Sequence, residues 1–260
     1  MKIACCQFDM EWENKPANHA RVAGMLRESR LGAGSLVVLP EMFATGFSMN
    51  VAGIEDTSDQ LTQRFLSSLA AELGINIIGG VVSAGAKGMG YNEAVGYGPG
   101  GGEIVRYRKM HPFGFSGENK HYLPGHRVVS FGIGGLRVCP LICYDLRFPE
   151  PFRVGLRQGA DCFLVIASWP KQRKQHWLTL LQARAIENQA YVAGVNRIGK
   201  DPNAEYGGRS LLIDPRGNIL ADAGTAETII AADFDCEVVA NYRNEFPVLS
   251  DIRADYGEIE

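Results

Sequence analysis

Three side chains of contrasting chemistry stand at equivalent places in the sequence. Glu41 follows the apolar run SLVVLP, Lys109 follows EIVRYR, and Cys143 follows LRVCPLI. Such runs read as strands, so each residue lies at a strand's carboxyl end, where α/β sheets gather their ligand sites. Long stretches of chain separate the three, and only folding could unite them. Together they would offer a coherent chemistry. A thiol with a pKa of about 8.5 is mostly protonated at neutral pH. A carboxylate can take its proton, and an ammonium can stabilise a thiolate or a developing oxyanion. Singly, each has an ordinary explanation: Glu41 as a solvated loop charge, Lys109 as a surface cation beside Arg106 and Arg108, and Cys143 as a core thiol.

The elements that must position these residues follow from hydrophobic spacing. KIACCQFD, SLVVLP and INIIGGVVS are strand-like, and they alternate with helical spacing in NKPANHARVAGMLRESRLGAG and SDQLTQRFLSSLAAELG. In the second helix Ser58 or Asp59 is placed to cap, and Gly74 to terminate. YNEAVGY and EIVRYRK read as a hairpin across GPGGG. No helix opens after those glycines, so they read as a turn and not as a phosphate loop. Residues 110–127 form a long irregular loop. RVVSF and LRVCPLIC are strands, PEPFRVGLRQG is a helix, DCFLVIAS is a strand, and PKQRKQHWLTLLQARAIENQA is a long helix. YVAGVNR, GRSLLID, GNILADA and TIIAADF are strands, and DCEVVANYRNEF is a last helix capped by Asp235. The rhythm predicts an α/β fold with mixed sheets covered by helices. With no low-complexity linker and no repeat, one domain over residues 1–260 is expected.

Composition excludes several classes. The 260 residues carry a formal charge of −3, with 46% hydrophobic and 21% charged residues, which is ordinary globular material. This balance argues against nucleic acid or an anionic membrane as the partner. No window approaches the roughly 18 apolar residues of a membrane span. The N-terminal MKIACCQFDM meets Asp9 and Glu11 too soon to be a signal-peptide core, so a cytoplasmic protein is expected. The six cysteines contain no C-x-x-C. Cys5 and Cys6 would point to opposite faces of a strand, which makes them poor disulfide partners. Cys5, Cys139 and Cys162 read as small buried hydrophobes in a reducing compartment, and the spacing of Cys139 and Cys143 does not suit a redox pair.

The segments LPEMFATGF, YRKMHPFGFSGENKHYLPG and LICYDLRFPE, in this order and at these intervals, resemble the three signature segments of the nitrilase superfamily of carbon–nitrogen hydrolases. The resemblance continues through ASWPKQRKQHWLTLLQARAIENQAYVAGVNR and is strongest to the bacterial omega-amidase branch. It implies a four-layer αββα sandwich, a homodimer, and no metal or organic cofactor. It further implies that Glu41 is the general base, Lys109 the transition-state cation and Cys143 the nucleophile, with the Tyr144 backbone N–H as a second oxyanion donor. The family's further active-site glutamate maps onto Glu118; Glu93 and Glu103, in the preceding hairpin, fit less well. The implied reaction is hydrolysis of a small-molecule amide, with 2-oxoglutaramate and 2-oxosuccinamate as leading substrates. A nitrilase or an N-carbamoyl amide hydrolase is the alternative within the superfamily, and a catalytically silent binding protein of the same fold is the alternative outside it.

Other polar groups fit other sites less well. No CGSCW-like segment and no flanking glycine pair surrounds Cys143, which argues against papain-like and nucleophile-elbow enzymes. His111, His121 and His126 share a loop but match no zinc spacing. Arg184 and Glu187 lie one helical turn apart and read as a structural pair. Asp145, Arg147 and Glu150 read first as an ion-pair cluster fixing the turn after Cys143, with Arg147 as a second choice for gripping a substrate carboxylate. The first choice is Arg173, which follows a strand end and Trp169 at the opening of a helix. Its guanidinium fork could bind a carboxylate through two hydrogen bonds. Phe115 and Trp169 are expected to line the pocket.

Overall fold

The computed structural model describes residues 1–253 and contains two six-stranded sheets. The strands are β1 (Lys2–Gln7), β2 (Leu36–Val38), β3 (Asn76–Ala84), β4 (Gly90–Tyr97), β5 (Glu103–Arg108), β6 (Phe131–Ile133), β7 (Leu136–Ile142), β8 (Cys162–Ala167), β9 (Tyr191–Asn196), β10 (Ile198–Lys200), β11 (Glu205–Gly207), β12 (Leu211–Ile213), β13 (Ile219–Asp222) and β14 (Thr228–Asp233). The α-helices are α1 (Lys15–Glu28), α2 (Val51–Ile54), α3 (Leu61–Leu73), α4 (Pro149–Arg157), α5 (Lys174–Asn188) and α6 (Cys236–Glu245). One sheet runs β14-β1-β2-β3-β4-β5 and the other β13-β12-β9-β8-β7-β6; β10 and β11 form a separate hairpin.

Each large sheet has a parallel centre and antiparallel flanks: β1-β2-β3 in one and β7-β8-β9 in the other. Their inner faces make one core. Ile3, Cys5, Leu36, Val38, Ala94 and Tyr107 of the first sheet join Val138, Ile142, Leu164, Ala193 and Leu212 of the second. The alternate residues Ala4, Cys6, Val37 and Ile77 face outward and pack under α1 and α3 with Val22, Leu26, Leu66 and Leu69. The period-2 alternation thus sends Cys5 and Cys6 to opposite faces, as expected. On the far side α5 covers β9 and β12, and Gly155 of α4 lies so close to Phe163 and Cys139 that a Cβ would stand 2.8 and 2.9 Å from them. The layers are helix, sheet, sheet, helix.

Several local expectations need correction. RVVSF is not a strand over its length; β6 begins at Phe131. The hairpin β10–β11 and the short α2 carry no apolar periodicity long enough to be read. The long helix begins at Lys174, after a 3₁₀ turn over Lys171–Arg173. Neither Ser58 nor Asp59 caps α3. Asp56 does so from farther back: Oδ2 accepts from Thr62 N and Gln63 N, both at 3.0 Å, and Oδ1 accepts from Lys15 Nζ at 2.7 Å. The chain turns through Gln60 at φ 49° before entering the helix, which lets the earlier carboxylate reach the free N–H groups.

Asp56 therefore ties α3 to α1. Burial alone would raise its carboxyl, but the Lys15 and backbone hydrogen bonds outweigh burial and hold it below the usual 3.8. A depressed carboxyl stabilises the fold above the unfolded value and loses that contribution as pH falls through the folded value. Asp56→Ala is expected to cost about 1–3 kcal/mol in urea unfolding at pH 7. The gap between the variant and the unchanged protein should narrow as pH falls below 4. An equal gap at both pH values would show that the charge is not what stabilises.

Candidate active site

Topology brings the three separated residues together. β2 and β3 are parallel, β4 reverses and β5 reverses again, so β2 and β5 end at the same edge of the first sheet. Glu41 lies three residues beyond β2 and Lys109 directly beyond β5. Tyr107 faces the inner core, and Lys109, two residues on, points the same way. In the second sheet β7 ends at Ile142, and Cys143 opens a 3₁₀ turn over Cys143–Arg147.

Lys109 Nζ donates to Glu41 Oε1 at 2.7 Å and to Glu118 Oε1 and Oε2 at 3.0 and 2.8 Å. All three side chains are essentially inaccessible. Two partners escaped the sequence reading. Asn92 Nδ2 bridges the carboxylates, donating to Glu41 Oε1 at 2.7 Å and to Glu118 Oε1 at 3.0 Å. The Ser168 backbone N–H, at the end of β8, donates to Glu41 Oε2 at 2.9 Å and so joins the second sheet to a residue of the first. Asn92 alternates on β4 with Glu93, and that alternation decides the choice among glutamates. Asn92 points inward, whereas Glu93 points outward to Arg106, Arg108 and Ser83. Glu103 pairs with Arg106 at the surface. Glu118 alone of the three reaches Lys109.

The backbone is shaped to fit. Cys143 has φ 47° and Met42, next to Glu41, φ 46°, left-handed values that a non-glycine residue adopts at a cost of about 1–3 kcal/mol. Gly80 of β3 passes beneath the Glu41 turn, where a Cβ would stand 2.2 Å from Met42 N and 2.6 Å from Glu41 Cα. Only glycine permits that approach.

Electrostatics set the resting proton positions. Burial would lower the Lys109 pKa, but the charges of Glu118 and Glu41 raise it above its usual 10.5, so it stays an ammonium. Burial and the Glu41 charge push the Glu118 carboxyl up against the pull of Lys109. Burial, together with the Glu41 charge facing it, pushes the Cys143 thiol well above 9.0 despite Lys109. The resting thiol of Cys143 is therefore held neutral beside Glu41.

Above Cys143 lies a cavity of about 390 Å³. Its walls include Phe47, Phe113, Phe115, Tyr144, Trp169 and Tyr206, with Arg147 and Arg173 as the charged side chains. Phe115 is 84% exposed at the mouth, while Trp169 is buried and donates from Nε1 to Arg173 O at 2.8 Å. The expected Asp145–Arg147–Glu150 ion-pair cluster does not form. Asp145 turns inward to Tyr107 and His111, Glu150 is exposed, and Arg147 stacks on Trp169 at 4.8 Å beside His176. Arg173 rests over Phe113 and Phe115 at 5.7 and 5.3 Å. Arg184 and Glu187 do pair, at 2.8 Å. Among the described residues no helix is long and apolar enough to cross a membrane.

A buried carboxylate–ammonium–thiol group at the shared edge of two sheets defines a hydrolase of the sandwich type, and comparison with known proteins agrees. The carbon–nitrogen hydrolase family model matches residues 2–244. A 2-oxoglutaramate amidase of Bacillus subtilis (strain 168) is 36% identical over 97% of this chain and 98% of its own. An omega-amidase of Yersinia enterocolitica is 39% identical over 96% of each chain. A CN-hydrolase superfamily protein from Xanthomonas campestris, crystallised with an arsenic adduct in its active site, superimposes with a TM-score of 0.89 at 32% identity and 99% coverage of both chains. The chain belongs to the carbon–nitrogen hydrolase family, within the nitrilase superfamily, and is a hydrolase acting on carbon–nitrogen bonds other than peptide bonds.

The upward displacement of the thiol makes a prediction for the substrate-free enzyme. Labelling of Cys143 by iodoacetamide should keep accelerating above pH 9, because the thiolate fraction grows only as pH approaches the raised value. A labelling rate already level below pH 7 would mean a preformed thiolate and contradict the resting state described.

Proposed function

We propose that this carbon–nitrogen hydrolase is an amidase that cleaves the terminal amide of a short 2-oxo dicarboxylic acid, with 2-oxoglutaramate and 2-oxosuccinamate as the leading substrates. One observation carries the substrate class. The cavity over Cys143 is lined by Arg147 and Arg173 and by no carboxylate; among the described residues Arg147 meets the His176 ring and Arg173 the rings of Phe113 and Phe115, with no carboxylate paired to either. A substrate carboxylate entering this space would meet an uncommitted guanidinium, and without one its desolvation would be costly. The names of the similar relatives, 2-oxoglutaramate amidase and omega-amidase, support the same class.

In this reading Cys143 Sγ attacks the amide carbon while Glu41 takes the thiol proton. The carbonyl oxygen becomes an oxyanion held by Lys109 Nζ and the Tyr144 N–H. Tyr144 stands second in its 3₁₀ turn, where an N–H has no partner within the turn. Glu41 returns the proton to the departing nitrogen, ammonia leaves, and a thioester remains. Water, deprotonated by Glu41, attacks the thioester; the acid departs and the thiol regains its proton. Glu118 holds Lys109 and, through Phe113 N at 2.5 Å, the loop that walls the pocket. The reading takes the chain as one hydrolase domain, working in the cytoplasm without metal or organic cofactor.

Cys143→Ala is expected to abolish ammonia release, whereas Cys139→Ala, in the core, should not. Glu41→Gln and Lys109→Ala should each lose at least about 100-fold in kcat with folding intact. Glu118→Gln should be severely impaired. Turnover by purified Cys143→Ala above a mock preparation would sink the mechanism.

Arg173 is proposed to hold the substrate carboxylate, with Arg147 in reserve. Arg173→Ala should raise KM for 2-oxoglutaramate roughly 10- to 100-fold, the worth of a charged hydrogen bond, and change little for an uncharged short amide. Equal effects on both substrates would remove Arg173 from this role. Ammonia release from a panel of 2-oxoglutaramate, 2-oxosuccinamate, glutamine, an N-carbamoyl amino acid and a nitrile tests the substrate itself. Turnover of only the last two would overturn it.

A homodimer is also proposed, built on the helix after Cys143 and the C-terminal segment. Val154, Val238 and Phe246 expose apolar surface on α4, on α6 and just beyond α6. Light scattering should give twice 28.4 kDa, or a multiple of it, at micromolar concentration; a monomer would refute the assembly.

A further inference from the structure

Asp145 is a carboxylate near the site whose two oxygens are both fully hydrogen-bonded, and the steps above do not use it. It is fully buried. Oδ2 accepts from Tyr107 Oη at 2.7 Å and from Ile142 N at 3.0 Å. Oδ1 accepts from His111 N at 3.0 Å and lies 2.8 Å from His111 Nδ1. A carboxylate has about four lone-pair sites, and all four are engaged.

The donors come from three separate places. Ile142 is the last residue of β7, directly before Cys143. Tyr107 stands on β5, two residues before Lys109. His111 opens the loop that carries Glu118, and its ring stacks on Phe148 at 4.0 Å. One anion thus holds the backbone on each side of the left-handed Cys143, through Ile142 N on one side and its own main chain on the other. The same anion fixes the approach of β5 and of the loop. Among the described residues no cation other than the His111 ring pairs with it, and its oxygens are met mainly by N–H and O–H dipoles.

We propose that Asp145 is a positioning residue for catalysis: it locks Cys143 into its strained turn and sets the nucleophile in register with Lys109. The proposal rests on the reading of Cys143 as nucleophile. It does not touch substrate, and it acts through the distance between sulfur and ammonium. Electron-pair count matters here, and not shape alone. In Asp145→Asn an NH₂ must replace one oxygen. It then faces either the Ile142 N–H or the His111 N–H, and both are donors. Whichever way the amide turns, one anchor of the turn becomes a donor–donor contact. Misplacement of a reacting group by about 1 Å costs on the order of 100-fold.

The test measures kcat, KM and melting temperature for Asp145→Asn, Tyr107→Phe and Cys143→Ala. Asp145→Asn should lose about 100-fold in kcat with KM nearly unchanged, and its Cys143 should label with iodoacetamide at an altered rate. A purely structural carboxylate would lower the melting temperature and yield yet leave kcat per folded molecule intact. Tyr107→Phe removes one donor without creating a clash, and should lose roughly 5-fold in kcat. A folded Asp145→Asn with unchanged kcat overturns the proposal. Should that variant not fold, Tyr107→Phe decides: reduced kcat at unchanged melting temperature supports the role, and unchanged kcat overturns it. Cys143→Ala separates the two levels. If it is inactive while Asp145→Asn is fully active, only the positioning role fails; if it is active, the nucleophile assignment itself is wrong.

Discussion

The structure depends on a buried ammonium held between two carboxylates. Lys109 lies within hydrogen-bond distance of Glu41 and Glu118, and none of the three meets solvent. Removing such charges from water costs several kcal/mol per ion, and their attraction offsets this only when every donor and acceptor finds a partner. Asn92, Ser168 N and Phe113 N supply those partners. They come from β4, from the end of β8 and from the loop after β5, so the charge cluster can exist only when both sheets and that loop are in place. Burial first, and the charge of Glu41 second, hold the Cys143 thiol beside this cluster well above its usual range.

That cluster explains why strand ends matter so much here. Two reversals after β3 return β5 to the direction of β2, and the second sheet repeats the parallel centre, so carboxyl ends from both sheets converge. A crossover that missed one reversal would deliver Lys109 to the opposite edge, some 20 Å away by strand length. Tight approaches complete the arrangement. Gly80 admits the Glu41 turn, and Gly155 lets α4 settle on β7 and β8 against Cys139 and Phe163.

Reactivity and selectivity are divided between two depths. The floor is fully charged and closed to water. The cavity above it is mainly aromatic, with Arg147 and Arg173 held by stacking on rings and not by carboxylates. Stacking orients a guanidinium while leaving its N–H groups available, which suits recognition of an anion. Trp169 serves both levels. Its backbone N–H is fixed by Asn196 Oδ1 at 2.8 Å, its indole pins the turn before α5, and its ring supports Arg147.

Much of this was legible in the chain. The alternating faces of KIACCQFD, the apolar SLVVLP and DCFLVIAS, and the reactive residues at their ends follow from local rules: side-chain period, strand length and glycine or proline punctuation. Glu41, Lys109, Glu118 and Cys143 could be singled out because their surrounding motifs are local too. The partners that complete the site were not. Asn92 differs from Glu93 only in which way a pleat points, and the pleat's phase is set by the neighbouring strands. Ser168 contributes a backbone N–H that any residue would carry. Asp145 looked like the partner of Arg147 two positions on, but a 3₁₀ turn separates their side chains and the core offered Tyr107 and His111 instead. Asp56 caps α3 across a left-handed bend that no propensity announces. The sequence by itself determined which residues could react and which faces would be buried, because both depend on neighbours a few positions away. Which buried group meets which, and hence where each proton rests, was decided only by the packing of two sheets whose contacts join residues far apart in the chain.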